Sequence, residues 1–368
     1  MLGVKGQWKL IIKINGNELP EDSLDSLLLI EEVNVLPVLQ IKLTVKNPKL
    51  FESVNNAMSL SLMLTKDLEK EIFSDFLITK NNVTPYSPGV HEINIVAILD
   101  IKSYFLGQEI ASYEDTSVNT VAAVLMENGL SPEIKHKSND RQVWLRYNLT
   151  AQRFISEVMS HSYKDSNSAF AIGITYDKKA IIANIPEVLK NVPPENLFTS
   201  MEGQGIQYNR IQPIRNNFGF FDMVANAGKG YHNFNLVTGL TEKATFTSEK
   251  VTANILPSLG NFNRWDTYEF SNDNTHDNYA IAKLTQRANL AKLCNLMTVV
   301  ELGNNFIPVK LLDGYTIIFP QDDTQYKLNN ETYSGKWLVT KVIRQILSNK
   351  LFTSVEVNRE GINSSGGR

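Results

Sequence analysis

At 368 residues, with 36 basic side chains against 39 acidic ones and 42% hydrophobic residues, the chain has the composition of a folded protein of two to four domains. A net charge of −3 excludes polyanion binding by bulk charge, and the longest apolar run, Ile93 to Leu99, is far short of the ~20 residues a membrane helix needs. A single cysteine, Cys294, excludes an intrachain disulfide and a thiolate metal cage.

From the N-terminus, Met1 to Trp8 carries no apolar signal core, which predicts a soluble protein made in the cytoplasm. Trp8 to Ile14 alternates apolar and polar residues and turns at Asn15-Gly16-Asn17, a hairpin signal. Leu24 to Val35, Val38 to Val45, Ser59 to Leu64, 72 to 80 and 91 to 101 add further strands, with a short turn or helical connection at Pro48 to Phe51. Residues 1–102 therefore read as about six antiparallel strands, the density of a small barrel or sandwich.

The period then changes. Ser117 is expected to cap a helix carrying Val118, Val121, Ala122 and Leu125, stopped at Asn128-Gly129. Thr150 is expected to cap a second, with Leu149 and Phe154 spaced as a hydrophobic staple. Phe170 to Ile174 and Lys179 to Ile185 predict a hairpin, so residues 103–192 form an α+β unit closed by Val192-Pro193-Pro194. Phe198 to Gln212 and Asn217 to Ala225 predict two strands. Residues 231 to 275 are polar, Asn-rich and weakly periodic and read as irregular strands and loops, and Asp277 to Leu293 predicts a helix with Asp277 in its first turn. A last β set runs from Met297 to Asn358, and 361–368 reads as a flexible tail.

One strand occurs twice. Phe76-Leu77-Ile78-Thr79-Lys80 and Trp337-Leu338-Val339-Thr340-Lys341 share the order aromatic, Leu, β-branched, Thr, Lys. Each follows an apolar strand, Leu60 to Leu64 or Tyr315 to Phe319, and precedes another, His91 to Asp100 or Lys350 to Asn358. Three β segments in one order at both ends predict a duplicated β domain. The organisation expected is thus α+β and β-rich, with two similar antiparallel β-barrels at 1–102 and at 193–230 plus 297–360. The α+β domain lies between them, and 231–296 is inserted in the second barrel.

Chemistry is sparse. The five histidines, His91, His136, His161, His232 and His276, lack metal-ligand spacing. Glu31-Glu32 and Asp322-Asp323 are adjacent, so on a strand they point apart and read as solvated turn or edge residues. The loop Asn226-Ala227-Gly228-Lys229-Gly230 lacks P-loop spacing, and no G-x-S-x-G elbow occurs. Cys294 reads as a small buried hydrophobe. No cofactor, no metal and no catalytic residue is expected, although a spatially assembled cell-wall-cleaving site stays open as an alternative.

The arrangement resembles the baseplate hub proteins of contractile phage tails: the T-even hub and, more distantly, the late-control and VgrG hub domains. The residues carrying the likeness are Glu92 to Ile101 passing into Leu106-Gly107, the helix from Val118, and Leu149 to Val158. The order after Asp277 to Leu293 adds to it: Met297 to Val300, Gly303 to Phe306, Leu312 to Tyr315, Gly335 to Val342. The resemblance implies a virion protein assembled in the host cytoplasm as a homotrimer, whose two tube domains per copy give a pseudo-sixfold ring. Such a ring joins a threefold central spike to a sixfold tail tube, touches other baseplate proteins and leaves a channel for DNA. The hub of a secretion-type or tailocin-type injection machine is the alternative of the same class.

Overall fold

The structure is a computed structural model that describes residues 2–4, 8–19, 23–46, 58–66, 70–201, 203–216, 229–246, 251, 254–255, 264–271, 275–303, 307–319, 332–347 and 350–363. The strands expected at 217–225, the connection at 48–51 and the pair Asp322-Asp323 lie outside the described residues.

The first unit comprises β1 (Leu2–Val4), β2 (Trp8–Ile14), β3 (Asn17–Glu18), β4 (Leu24–Glu32), β5 (Val38–Val45), β6 (Ser59–Lys66), β7 (Lys70–Ser87) and β8 (Val90–Leu99). Period-two alternation places Leu27, Leu29, Leu39, Ile41, Leu43, Ile93, Ile95 and Ala97 in one buried core. Between β2 and β3, Asn15 at φ 49° and Gly16 at φ 81° both take the left-handed region that a two-residue hairpin requires. β7 is much longer than the strand read from sequence, because Val83 to Ser87 still pair β8 although most side chains there are exposed.

The α+β unit contains α1 (Lys102–Leu106), β9 (Gln108–Asp115), α2 (Ser117–Glu127), β10 (Ser131–Ile134), β11 (Gln142–Thr150), α3 (Ala151–Ser160), β12 (Phe170–Ile174), β13 (Lys179–Asn184) and α4 (Ile185–Lys190). Thr150 does cap α3, its hydroxyl accepting the Arg153 N–H at 3.3 Å. The cap of α2 is Thr116 rather than Ser117, whose own N–H is held by the buried Asp140 carboxylate at 2.9 Å. β9 and β11 form a separate two-stranded ribbon, and β12–β13 form the expected hairpin with β10 added in parallel to β13.

The second unit and its insertion follow as β14 (Leu197–Thr199), β15 (Ile206–Gln207), β16 (Arg210–Ile211), β17 (Arg215–Asn216), β18 (Lys229–Asn235), β19 (Thr241–Phe246), β20 (Asn254–Ile255), β21 (Arg264–Ser271), α5 (Tyr279–Leu293), β22 (Leu296–Gly303), β23 (Gly314–Ile317), β24 (Gly335–Leu347), β25 (Lys350–Arg359) and β26 (Gly361–Ile362). Four expectations are corrected here. The strand expected over Phe198 to Gln212 breaks into β14, β15 and β16, because Gly203 and Gly205 at φ 81° and 60° turn the chain between them. The polar stretch 231–275 holds an ordered three-stranded sheet, β19-β18-β21, which takes in Lys229 and Gly230 as well. Helix α5 starts at Tyr279, not Asp277, because His276 Nδ1 and carbonyl accept the N–H groups of Asn278 and Tyr279 in a preceding turn. The start of the expected tail is fixed, since β26 pairs β20 and Asn363 is hydrogen-bonded to Thr332 and Arg359.

Strands of both terminal units join in one large sheet, ordered β1-β2-β6-β7-β8-β5-β4-β24-β23-β14-β15, with β25 and β22 branching from β24. The exposed edge of β12 is covered by side chains. Gln286 of α5 binds both backbone groups of Phe170, and Asn34 accepts the Ile172 N–H at 3.1 Å.

Candidate functional site

The repeated pentapeptides occupy matching places in the ladders. Across β6 and β7, Leu60 pairs Phe76; across β23 and β24, Tyr315 pairs Trp337. Phe76 and Trp337 are both fully buried. On the other edge, Ile78 pairs Ala97 and Lys80 pairs Val96, leaving Thr79 out of register; Val339 pairs Val357 and Lys341 pairs Glu356, leaving Thr340 out. The same bulge is closed by the same bond: Thr79 Oγ1 donates to the Val96 carbonyl at 3.1 Å, Thr340 Oγ1 to the Glu356 carbonyl at 3.4 Å. A bulge leaves one residue unpaired and bends the strand, so its recurrence gives both hairpins the same local bend.

Leu77, Ile78, Leu338 and Val339 are buried, Thr79 and Lys80 exposed, and Thr340 and Lys341 half-buried. Lys341 is ion-paired to Glu32 at 2.9 Å and lies 4.0 Å from Glu356.

Neighbouring strands match as well. The first unit runs β2-β6-β7-β8-β5-β4, and the second runs β14-β23-β24-β25-β22 and then residues 210–216. In each, the strands enter that order from the same sequence positions. One pairing differs, since β14 lies parallel to β23 whereas β2 is antiparallel to β6. In the second unit the path returns to its start: Ile206 and Gln207 pair β14, while Arg210 and Ile211, in the same short segment, pair β22. In the first unit the outer edge of β4 is instead occupied by β24, from Glu32 opposite Lys341 to Ser26 opposite Leu347.

That joint holds a buried charge cluster. Arg344 of β24 is ion-paired to Glu31 of β4, donates to the Val309 carbonyl at 3.3 Å, and lies 5.3 Å from the centre of the Tyr176 ring. The Tyr176 N–H donates to Glu31 at 2.8 Å, and Ser74 of β7 donates to the Tyr176 carbonyl at 2.5 Å. Burial pushes the Glu31 carboxyl up, against the pull of Arg344. The cluster ties both strand units to the turn of the β12–β13 hairpin. It corrects the sequence reading of Glu31 as solvated, because its partner Arg344 is far from it in sequence, whereas Glu32 pairs with Lys341 and keeps its side chain 43% exposed. A second contact seats the α+β unit on the second strand unit: a Cβ on Gly173 would lie 2.8 Å from Leu311 Cβ.

Two other surfaces stand out. On one face of the β9–β11 ribbon, Ile110 pairs Tyr147, and with Leu145 all three are strongly exposed. Between α3, β12 and α5 lies a cavity of about 360 Å³ whose lining, among the described residues, includes Lys283 and Arg287 but no carboxylate. Among the described residues no group of three or more His, Cys, Asp or Glu could hold a metal, and no helix is long and apolar enough to cross a membrane. The Cys294 thiol is pushed up to about 12 by burial, which leaves it protonated and unreactive at neutral pH.

No protein-family model matches the sequence, and no curated protein matches it. Solved structures do match, along nearly the whole chain. The fold is that of phage tail proteins: the tail protein from Neisseria meningitidis MC58 superposes with a TM-score of 0.60 at 8% identity, covering 97% of this chain and 98% of that one. The 43 kDa tail protein of prophage MuSo2 from Shewanella oneidensis gives 0.60 at 9% identity, covering 97% and 100%. A prophage tail protein from Listeria monocytogenes EGD-e gives 0.51 at 11% identity, covering 95% and 94%. The likeness to phage tail proteins read from the strand order thus holds at the level of fold.

Proposed function

We propose that this chain is a structural subunit of a tail hub, in which the two strand units are two tube domains and three copies close into a ring of six similar units. The observation that carries the reading is the matched hairpin: same pairing partners, same bulge, same threonine bond, in units that share strand order. A chain that repeats one shape twice presents six like elements when three copies assemble, which lets a threefold object meet a sixfold one. The whole-chain likeness to phage tail proteins supports the setting, with a spike on one side, a tube on the other and other baseplate proteins around it.

In this reading residues 1–102 and 193–216 plus 296–360 are the tube domains, 103–192 and the β18–β21 sheet with α5 decorate them, and duplex DNA passes the bore without being held. The balance of 36 basic and 39 acidic residues and the pairing of Lys341 with Glu32 fit a lining that does not retain phosphates. Sedimentation of concentrated protein, with imaging of the particles, tests the proposal. A threefold ring with six similar lobes is expected; a chain that remains monomeric at every concentration and beside its spike overturns it. Tight binding of duplex DNA by the ring at physiological salt would overturn the channel.

A further inference from the structure

The cavity between α3, β12 and α5 has an apolar floor and a polar rim. Ile172 and Ile174 share one face of β12, Ile155 and Met159 share one face of α3, and all four are buried. The rim is made by Gln152 and Ser156 of α3 and by Lys283 and Arg287, one turn apart on α5; Gln152, Ser156 and Arg287 are exposed there. At about 360 Å³ the cavity stands at the small end of the ~300–1,000 Å³ typical of ligand sites.

This lining narrows what fits. Arg287 makes no ion pair among the described residues, and no carboxylate among them lines the cavity, so an entering anion meets positive charge that nothing described there neutralises. Lys283 adds a second cation to the same wall. An extended peptide cannot join β12 as a further strand, because the backbone groups it would need are already taken: Gln286 accepts the Phe170 N–H at 2.8 Å and donates to the Phe170 carbonyl, while Asn34 accepts the Ile172 N–H at 3.1 Å and gives its own N–H to the Ile172 carbonyl at 2.7 Å. A bare alkyl chain suits the floor but would strip water from Gln152 and Ser156 without replacing its hydrogen bonds.

We infer that the cavity is a socket for the C-terminal end of a protein partner, with a large apolar side chain on the Ile155, Met159, Ile172 and Ile174 floor, the terminal carboxylate at Arg287, and the last peptide groups on Gln152 and Ser156. A chain terminus carries its carboxylate and an apolar side chain on one residue, which a small cavity can hold. An internal acidic segment needs two side chains and a chain that both enters and leaves. The socket lies within one copy, so its test is independent of whether copies close into a ring.

The full chain is titrated by calorimetry with acetyl-Gly-Ser-Gly-Leu, acetyl-Gly-Ser-Gly-Met and acetyl-Gly-Ser-Gly-Phe, each ending in a free carboxylate, and with the same peptides ending in a carboxamide. At least one acid is expected to bind, its amide about tenfold or more weakly, and added salt should weaken the acid more than the amide. Arg287→Gln should remove the preference for the acid, and Ser156→Trp, which fills the mouth from an exposed position, should abolish binding of both forms. Both substitutions lie outside the core, so an unchanged melting temperature shows that the fold is kept. Equal binding of acid and amide, a preference that survives Arg287→Gln, or no binding of any acid up to ~1 mM overturns the socket. Dodecanoate is titrated alongside: if it binds more tightly than every peptide and Ser156→Trp blocks it, the cavity belongs to an alkyl carboxylate and the peptide assignment falls.

Discussion

From Phe76 to Thr79 and from Trp337 to Thr340 the two long hairpins hold equivalent partners, yet beyond the bulge they diverge: residues 341–347 are mostly buried or half-buried, and residues 80–86 are mostly exposed. The hairpin itself is the same, so the difference lies in what lies beside it. β24 continues against β4 and sends Ile346, joined by Leu351 of β25, into the core of the first unit; β7 continues past its own core with Val83 and Tyr86 exposed. A repeated strand therefore teaches how one hairpin can serve two surroundings, running along a further strand in one place and keeping exposed side chains in the other.

The comparison is broken most forcefully at its base. Phe76→Ala and Trp337→Ala each empty a fully buried aromatic site, and each is expected to cost about 3–5 kcal/mol in urea unfolding. Similar losses would mark the two cores as comparable; a loss confined to one would show that only one unit depends on its aromatic. Beyond the bulge the effects should part. Arg344→Ala leaves Glu31 buried without its cation, at a cost of about 3–5 kcal/mol, while Val83→Ala at the matching place should change stability by no more than about 0.5 kcal/mol.

Gly173 tests how the α+β unit is held against this joint. An added methyl meets Leu311 Cβ at 2.8 Å, and Leu311 is itself fully buried, so Gly173→Ala is expected to cost about 1–3 kcal/mol by overpacking. Because alanine favours a strand more than glycine does, a loss in this variant would come from the contact and not from backbone propensity.

What could be read from sequence was whatever depended on local period. Leu27 and Leu29 of β4, Leu39 and Ile41 of β5, and the staple of Leu149 and Phe154 around Thr150 are visible because their neighbours in space are neighbours in pattern. The pentapeptide repeat was legible for the same reason. The Glu31–Arg344 pair was not, because its carboxylate and guanidinium are 313 positions apart and each alone looks like a surface charge. β9 carries no apolar alternation of the usual sense, since Ile110 stands on the exposed face, and the β18–β21 sheet lies in an Asn-rich stretch lacking apolar alternation. Which strand pairs which is set by the tertiary chain path, and no local window carries it.

Acid distinguishes the α+β unit and the insertion from the strand units. Burial holds His136 and His276 below the ordinary histidine value of 6.5, and in each the ring Nδ1 accepts a backbone N–H, from Asn184 and Asn278 respectively, at 3.2 Å. Above pH 6.5 both rings are neutral in folded and unfolded chains alike, so the full stability is present. As pH falls below 6.5 the unfolded chain takes up protons that the folded chain refuses, and stability declines until the lowered folded values are reached. The melting temperature should drop by about 2–4 °C for each kcal/mol so lost. His136→Gln with His276→Gln should flatten that dependence; a slope unchanged by the double substitution would place its origin elsewhere.

The smallest expected effect addresses the bulge. Thr79→Val and Thr340→Val keep side-chain shape and remove one hydroxyl, whose bond to the Val96 or Glu356 carbonyl is worth roughly 0.5–1.5 kcal/mol when sheltered. Thr79 is exposed, so water replaces its bond and the loss should fall at or below the lower limit. Thr340 is half-buried, and its oxygen also accepts from Asn358 Nδ2, so removing it strands a buried amide. The Thr340 variant should therefore lose more stability than the Thr79 variant in the isolated chain. Urea unfolding of both variants decides it: equal losses would mean that the Asn358 amide finds another partner once the Thr340 hydroxyl is gone.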